Sequence, residues 1–145
     1  MTDPQAYQDL LIRIRQLEDN ERLLREKTER LELAIDAAED GVWDWDPRNG
    51  TAYFSPRWLT MLGYQPGELP SSYATWVDLL HPDDRDEAIS ALSRFLQTPE
   101  KLFSIEFRMR TRDGGWRWIH ARGKKIAVDG QGKVSRIIGT HVDIT

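Results

Sequence analysis

The residues with the clearest capacity for chemistry lie in the segment His81-Pro82-Asp83-Asp84. An imidazole and two carboxylates at this spacing could bind a divalent metal ion. The same segment could instead begin a helix, because proline fits the first turn and acidic side chains there face the positive end of the helix dipole. We expect the helix start, and we expect no metal site.

Arrangements typical of enzymes are missing from the rest of the sequence. There is neither a Gly-x-Ser-x-Gly motif for a serine nucleophile nor a Gly-x-x-x-x-Gly-Lys loop for phosphate. Asp44 and Asp46 share one face of a predicted strand, but no third group accompanies them. The chain contains no Cys, which excludes disulfides, a thiolate nucleophile and a Cys-ligated zinc site. We therefore expect no catalytic residues and no enzyme activity in this chain.

The composition is typical of a folded, water-soluble chain. Its 145 residues include six Trp, four Tyr and four Phe, which are enough large apolar side chains to form a core. No segment approaches the roughly 18 apolar residues of a membrane span, and no signal peptide begins the chain, so we expect a cytoplasmic protein without membrane contact. Residues 102–145 hold nine Lys and Arg against four Asp and Glu. These basic residues alternate with apolar ones, as on the solvated face of a sheet, so no nucleic-acid partner is expected.

Residues 1–38 are predicted to form a long amphipathic helix that pairs with a second copy of the chain. Strong helix formers dominate the segment, and leucines recur every seven residues, as in a coiled coil. Polar residues at Glu21 and Thr28 weaken this pattern, and a helix that folds back on its own domain is the alternative. Charges at the flanking positions are consistent with a parallel pair. The expected dimer contacts are Leu10, Ile14, Leu17, Leu24, Leu31 and Ile35.

The remaining residues, 39–145, are predicted to form one α+β domain. Alternating apolar residues indicate strands at 41–46, 51–54, 103–110, 116–128 and 134–144. Helical patterns begin at Ser55 and His81, and a short apolar segment surrounds Trp76. This order predicts a five-stranded antiparallel sheet with helices on one face.

From about Leu31 onward the sequence resembles a PAS domain with its PAC motif, as found in bacterial sensor proteins. Each matching piece is weak by itself, but together they occur in the family's order and at its spacing. The pieces are Leu62-Gly63-Tyr64, Glu68-Leu69, Trp76-Val77-Asp78-Leu79-Leu80-His81-Pro82-Asp83-Asp84-Arg85, Asp113-Gly114-Gly115-Trp116-Arg117-Trp118-Ile119, Gly139-Thr140 and Asp143-Ile144-Thr145.

The resemblance implies a sensory module without catalysis of its own, linked to an output domain such as a histidine kinase or a diguanylate cyclase. In the family the Asp-Ile-Thr motif marks where the last strand continues into that output domain. Asp143, Ile144 and Thr145 are therefore the expected signal relay, and the chain is expected to be part of a longer protein. We expect Asp143 to bond to backbone or to Trp116 or Trp118. The homodimer would use the N-terminal helix and the outer face of the sheet.

The resemblance also implies a ligand pocket between the sheet and the helices. By comparison with flavin-binding relatives, Trp118, His120, Ile137 and His141 would point into it, although one or both histidines could instead lie on the exposed face. The full set of candidates is Trp58, Trp76, Ile105, Phe107, Trp118, His120, Ile137 and His141.

The sequence allows the cofactors of such domains to be compared. A cysteinyl flavin adduct is excluded because there is no Cys, and haem is disfavoured because residues 82–96 contain no His. Non-covalent FAD stays open, because Trp-rich pockets can stack its ring, although core packing explains the tryptophans equally well. An unknown small molecule or an empty pocket is expected. If the pocket takes nothing, the domain is a passive dimerisation scaffold, which is the alternative function.

Overall fold

A computed structural model describes residues 3–145, which divide into two compact units at Ala38 and Glu39. The first unit is one long helix, α1 (Pro4–Ala38), in which no side chain is buried. The leucines of the seven-residue repeat are exposed, with Leu17 at 56% and Leu24 at 64%. A helix of this kind depends on its residue propensities or on a partner, because it buries no apolar face within its own unit.

The second unit is built from five strands and three helices. They follow in the order β1 (Gly41–Trp45), β2 (Ala52–Phe54), α2 (Pro56–Thr60), α3 (Tyr73–Leu79), α4 (Pro82–Gln97), β3 (Leu102–Arg110), β4 (Trp116–Val128) and β5 (Val134–Asp143). The strands form one antiparallel sheet with the spatial order β2-β1-β5-β4-β3. The predicted fold class is confirmed. The short apolar segment around Trp76 is the helix α3, and β5 ends one residue earlier than predicted.

Two side chains cap the helices where the sequence predicts their starts. The Ser55 hydroxyl accepts hydrogen bonds from the backbone N–H of Trp58 at 3.4 Å and of Val42 at 2.8 Å, so it caps α2 and ties it to β1. The His81 Nδ1 accepts from the N–H of Asp83 at 3.0 Å and so caps α4. Within residues 3–145 no group of three His, Asp or Glu side chains could hold a metal ion.

The apolar core lies between the helices and one face of the sheet. Each helix of the second unit contributes buried side chains, among them Trp58 from α2, Leu79 from α3 and Phe95 from α4. From the sheet, Ile119 in β4 and Ile137 in β5 are fully buried. In the described part of the chain, no helix has the length and apolarity needed to cross a membrane.

Candidate functional site

A cavity lined mainly by aromatic side chains lies within the core of the second unit. Its free space is about 40 Å³, which is room for two or three water molecules. Eight aromatic side chains line it: Trp43, Trp45, Phe54, Trp58, Tyr73, Trp76, Phe103 and Phe107. Ala52, Leu92, Ala121 and His141 complete the lining.

Trp43 forms one wall of this cavity because two glycines leave room for its indole on the sheet. Gly123 in β4 and Gly139 in β5 are directly paired, and Gly139 also pairs with Trp43 in β1. A Cβ atom at Gly139 would lie 2.3 Å from the indole, and one at Gly123 would lie 2.6 Å from it. The indole Nε1 donates to the carbonyl oxygen of Thr140 at 3.3 Å, which fixes the ring across three strands.

His141 is the one titratable imidazole that lines the cavity. Its ring lies 5.4 Å from that of Trp58, 5.5 Å from that of Phe107 and 6.3 Å from that of Trp43, measured between ring centroids. Burial lowers the pKa of His141 to about 3, because the charged form would lose its hydration among apolar rings. The imidazole is therefore neutral at physiological pH.

Two indole N–H groups in the cavity wall are buried without a hydrogen-bond acceptor. They belong to Trp45, which is 8% exposed, and Trp58, which is 1% exposed. Both rings are held by stacking: Trp45 lies 5.1 Å from Tyr73, and Trp58 lies 3.8 Å from Phe54. The rings are thus fixed while their N–H groups stay unpaired.

Four of the predicted pocket residues line the cavity, namely Trp58, Trp76, Phe107 and His141. Two others lie in the adjoining core without lining it: Ile137 is fully buried and Ile105 is partly buried.

The expectation that Trp118 and His120 point into the pocket is wrong. Side chains alternate along a strand, and residues paired across an antiparallel ladder share a face. Because Ala121 pairs with His141 and faces the core, residues 118 and 120 must face outward. Trp118 is 40% exposed, and the Arg108 guanidinium lies 5.0 Å above its ring.

The imidazole of His120 has a partner on the outer face of the sheet. Its Nε2 lies 2.7 Å from the hydroxyl oxygen of Ser104 on β3, the neighbouring strand. His120 pairs with Val142 across the ladder to β5, and so lies on the face opposite to His141.

Several cavity residues were not predicted from the sequence. Trp43 and Trp45 alternate with Val42 and Asp44. This alternation was enough to predict a strand, but not to predict which side of the strand faces the cavity. The available signal was a glycine inside each of two predicted strands, Gly123 and Gly139, because a strand glycine often marks a place where another group approaches closely. That the two glycines face each other and Trp43 is seen only in the structure.

The end of β5 forms a small polar cluster with the start of β4. Asp143 accepts hydrogen bonds from Arg117 Nη1 at 2.7 Å and from the backbone N–H of Thr145 at 3.0 Å. Thr145 Oγ1 accepts from the N–H of Trp118 at 3.0 Å, and the N–H of Ile144 donates to the Trp118 carbonyl at 2.9 Å. Asp143 thus bonds to backbone as expected, but its side-chain partners are Arg117 and Thr145 rather than a tryptophan.

The carboxyl group of Asp143 is held in its charged form. Burial raises its pKa, but the hydrogen bonds from Thr145 and Arg117 outweigh that effect, so the pKa lies below its usual value. The cluster therefore keeps its ion pair at neutral pH.

The family model described as PAS fold matches residues 51–141, so the chain belongs to the PAS family. As a PAS domain it is a sensory signalling module.

Its relatives include sensor kinases and cyclases. A sensory box histidine kinase/response regulator from Burkholderia thailandensis is 36% identical, with a TM-score of 0.68 over 80% of this chain and 85% of that structure. A probable diguanylate cyclase from Escherichia coli is 27% identical over 91% of this chain. The chain spans 12% of that cyclase, whose remaining length lies outside the similarity.

A Light-Oxygen-Voltage domain whose mechanism was studied with a flavin analogue shares the fold, with a TM-score of 0.61 and 21% identity over 80% of this chain and 85% of that one. A flavin could bind in this cavity only if the walls moved apart. Sites for molecules of that size measure several hundred Å³. The cavity in this chain, which Trp58 and Trp76 help to line, has only about 40 Å³ of free space.

Proposed function

We propose that this chain senses a small molecule in the aromatic cavity and passes the signal to an output domain that follows it. One observation carries the proposal: His141 lines the cavity, and two residues later on the same strand Asp143 begins the polar cluster. A strand is stiff along its length, so a molecule that displaces His141 would also displace Asp143.

The polar cluster has the geometry to pass that displacement on. Asp143 binds Arg117 and Thr145, and Thr145 in turn binds the backbone of Trp118. A shift of β5 relative to β4 would break or re-form these bonds. The chain beyond Thr145 would then leave the domain in a different direction. A diguanylate cyclase or a histidine kinase is the proposed output domain, in line with the relatives.

The module is proposed to act as a homodimer. The seven-residue repeat of α1 leaves leucines such as Leu17 and Leu24 exposed, which is typical of a helix that pairs with another. The outer face of the sheet, with Trp118 and Ile138, would contribute a second contact. We propose that the assembly is cytoplasmic.

A ligand-free dimerisation scaffold is the second candidate, because the free space of about 40 Å³ is small for a ligand site. Native mass spectrometry of the chain separates the two candidates in one measurement. We expect a dimer that carries extra mass, lost on denaturation. A dimer without extra mass would contradict the ligand part of the proposal, and a monomer would contradict the dimer part.

The relay is tested by Asp143→Ala in the full-length protein. We expect the output activity to lose its response, because Arg117 and Thr145 lose their shared acceptor. The matched control is Asp129→Ala, which removes a carboxylate that accepts from the backbone N–H groups of Gln131 and Lys133 just before β5 begins. An unchanged response in Asp143→Ala, or an equal loss in the control, would show that the relay lies elsewhere.

A further inference from the structure

The aromatic cavity has one wall on the sheet and another on the helices. His141 and Trp43 belong to the sheet, whereas Trp76 in α3 and Leu92 in α4 belong to the helices. A molecule that enters the cavity would press on both walls, because protein cores are close-packed and transmit strain. Movement of the helical wall can reach the polar cluster only through contacts that join these helices to the sheet.

The junction between α3 and α4 is bonded to Arg108 on β3, which is an edge strand. The backbone N–H of His81 donates to the carbonyl oxygen of Arg108 at 3.0 Å. The carboxylate of Asp84 accepts from the backbone N–H, Nε and Nη2 of Arg108, each at 2.9 Å. Both backbone polar groups and the guanidinium of Arg108 are therefore bonded to the start of α4, so Arg108 moves with this junction.

Trp118 on β4 is paired with Arg108 across the ladder and is bonded to the polar cluster. Its N–H donates to Thr145 Oγ1 at 3.0 Å, and its carbonyl oxygen accepts from the N–H of Ile144 at 2.9 Å. The backbone groups of Arg108 and Trp118 thus bond in opposite directions, as in the pair type that brings side chains closest together. The guanidinium lies 5.0 Å from the centroid of the Trp118 ring, within range of a cation–π interaction.

We propose that Arg108 is a positioning residue that couples the helical wall of the cavity to the polar cluster. This inference rests on the proposed sensory function and adds a second relay for the same cavity, besides the one along β5. Arg108 is bonded to α4 through Asp84 and packs on Trp118, which in turn bonds to Ile144 and Thr145. When α4 moves, the guanidinium moves across the ring of Trp118, and the bonds between Trp118 and the polar cluster weaken or re-form.

Hydrogen exchange of backbone amides, followed by NMR on the ¹⁵N-labelled chain, tests this coupling and needs no ligand. The amides of Trp118 and Ile144 report the bonds between β4 and the polar cluster. Those of Arg122 and Thr140, paired in the middle of β4 and β5, report global unfolding. We expect Asp84→Ala to accelerate exchange at Trp118 and Ile144 about tenfold more than at the two reference amides. Equal acceleration at all four amides would reveal a purely structural role and overturn the proposal.

Asp83→Ala is the matched control for the substitution in α4. Its side chain lies in the same helical turn but is 78% exposed. We expect it to change the ratio of exchange rates between Trp118 and Arg122 by less than about threefold. Equal effects of the Asp83 and Asp84 variants would assign the acceleration to the start of α4 as a whole and contradict the role of Arg108. Should Asp84→Ala fail to fold, Asp84→Asn takes its place, because it keeps the side-chain shape and weakens the same bonds.

A double-mutant cycle then tests Arg108 itself. Arg108→Gln should reproduce the acceleration, and adding Asp84→Ala to it should change exchange by less than about threefold, because both substitutions act on one contact. Arg110→Gln is the control, since Arg110 lies two residues further along the same face of β3, and it should leave the ratio of rates unchanged. If Asp84→Ala accelerates exchange as strongly in the Arg108→Gln background as in the unaltered chain, the coupling bypasses Arg108 and the proposal is wrong.

The failure of this inference can be told apart from failure of the sensory function. If exchange changes as expected but native mass spectrometry shows no ligand, the sensory function is wrong, and Arg108 still couples α4 to the polar cluster. If a ligand is bound but Asp84→Ala leaves exchange at Trp118 and Ile144 unchanged, the coupling is wrong and the sensory function stands.

Discussion

At the scale of single residues, the imidazole of His141 makes the domain sensitive to acid. The neutral ring is buried, and its pKa of about 3 lies well below the ordinary 6.5. The unfolded chain therefore binds a proton at this site near pH 6, while the folded chain does not. The contribution of the neutral His141 to the free energy of unfolding is fully present above about pH 6.5 and is lost progressively as the pH falls toward 3.

We predict that His141→Leu reduces this acid sensitivity. Between pH 7 and pH 5 the His141 contribution to the free energy of unfolding should fall by about 2 kcal/mol in the unaltered chain, and this loss should be absent from the variant. Urea unfolding at both pH values measures the difference. His120→Leu is the control, because its ring lies on the outer face of the sheet. Parallel pH profiles for the unaltered chain and His141→Leu would contradict the prediction.

The sequence predicted which residues are buried near the site better than it predicted which face of the sheet a side chain occupies. Trp58, Trp76 and Phe107 belong to strongly patterned segments, so their burial could be inferred. Which histidine faces the cavity depends on the register between β4 and β5, since a shift of one residue exchanges the two faces. That register depends on how all five strands pack, so it could not be predicted from the sequence of one chain.

At the scale of elements, the contact between β1, β4 and β5 depends on the absence of a side chain at Gly139. A Cβ atom there would lie 1.9 Å from the carbonyl oxygen of Arg122, a backbone atom that cannot move independently of β4. We predict that Gly139→Ala lowers the free energy of unfolding by about 3 kcal/mol or prevents folding. Gly123→Ala should cost less, because its new Cβ meets only side-chain atoms, namely the ring of Trp43 and a methyl group of Ile137. Urea unfolding followed by circular dichroism ranks the two variants, and equal losses would contradict this reasoning.

Helix α4 is joined to β3 by an ion pair. The carboxylate of Asp84 accepts three hydrogen bonds from Arg108, from its backbone N–H, Nε and Nη2, each at 2.9 Å. These bonds hold the pKa of Asp84 below its usual value, so the stability they provide is present above about pH 4 and lost in stronger acid.

We predict that Asp84→Asn lowers the free energy of unfolding by about 1.5 kcal/mol, because the charge-assisted bonds to Arg108 are weakened. Asp83→Asn is the matched control: it lies in the same helical turn, but its side chain is 78% exposed. It should cost less than about 0.5 kcal/mol. Thermal unfolding at pH 7 compares the two, and a similar loss in both would assign the effect to the helix dipole instead.

The elements were more predictable than the contacts between them. Capping residues Ser55 and His81 mark the starts of α2 and α4, and the turn residues between β3 and β4 mark the hairpin. Helix α3 was not predicted, because seven residues are too few to show a clear helical period. The partner of Asp143 was predicted only in part, since Arg117 approaches it through the pairing of β4 with β5.

At the scale of the whole molecule, the proposed dimer depends on the repeat in α1. Its leucines are exposed, so they contribute to stability only when a partner covers them. We predict that Leu17→Lys combined with Leu24→Lys converts the dimer to a monomer at micromolar concentration, because four lysines would then meet at the seam.

Analytical ultracentrifugation measures this change. The control is Leu33→Lys, an exposed leucine outside the seven-residue repeat, which should leave the dimer intact. Dimers that persist in the double variant would assign dimerisation to the sheet face. In the double variant, an unaltered near-ultraviolet circular dichroism signal from the six tryptophans, all of which lie within residues 39–145, would show that the substitutions act on association and not on folding of the domain.

The indole of Trp43, which lies across Gly123 and Gly139, has a consequence for how this domain can evolve. While the ring stays, a side chain at Gly123 would clash with it. A lineage that exchanges Trp43 for a small residue removes this clash, whereas Gly139 stays restricted by the carbonyl oxygen of Arg122. In an alignment of PAS domains we expect the positions of Trp43 and Gly123 to covary, with a side chain at Gly123 appearing only after the tryptophan is gone, and we expect glycine to persist at the position of Gly139.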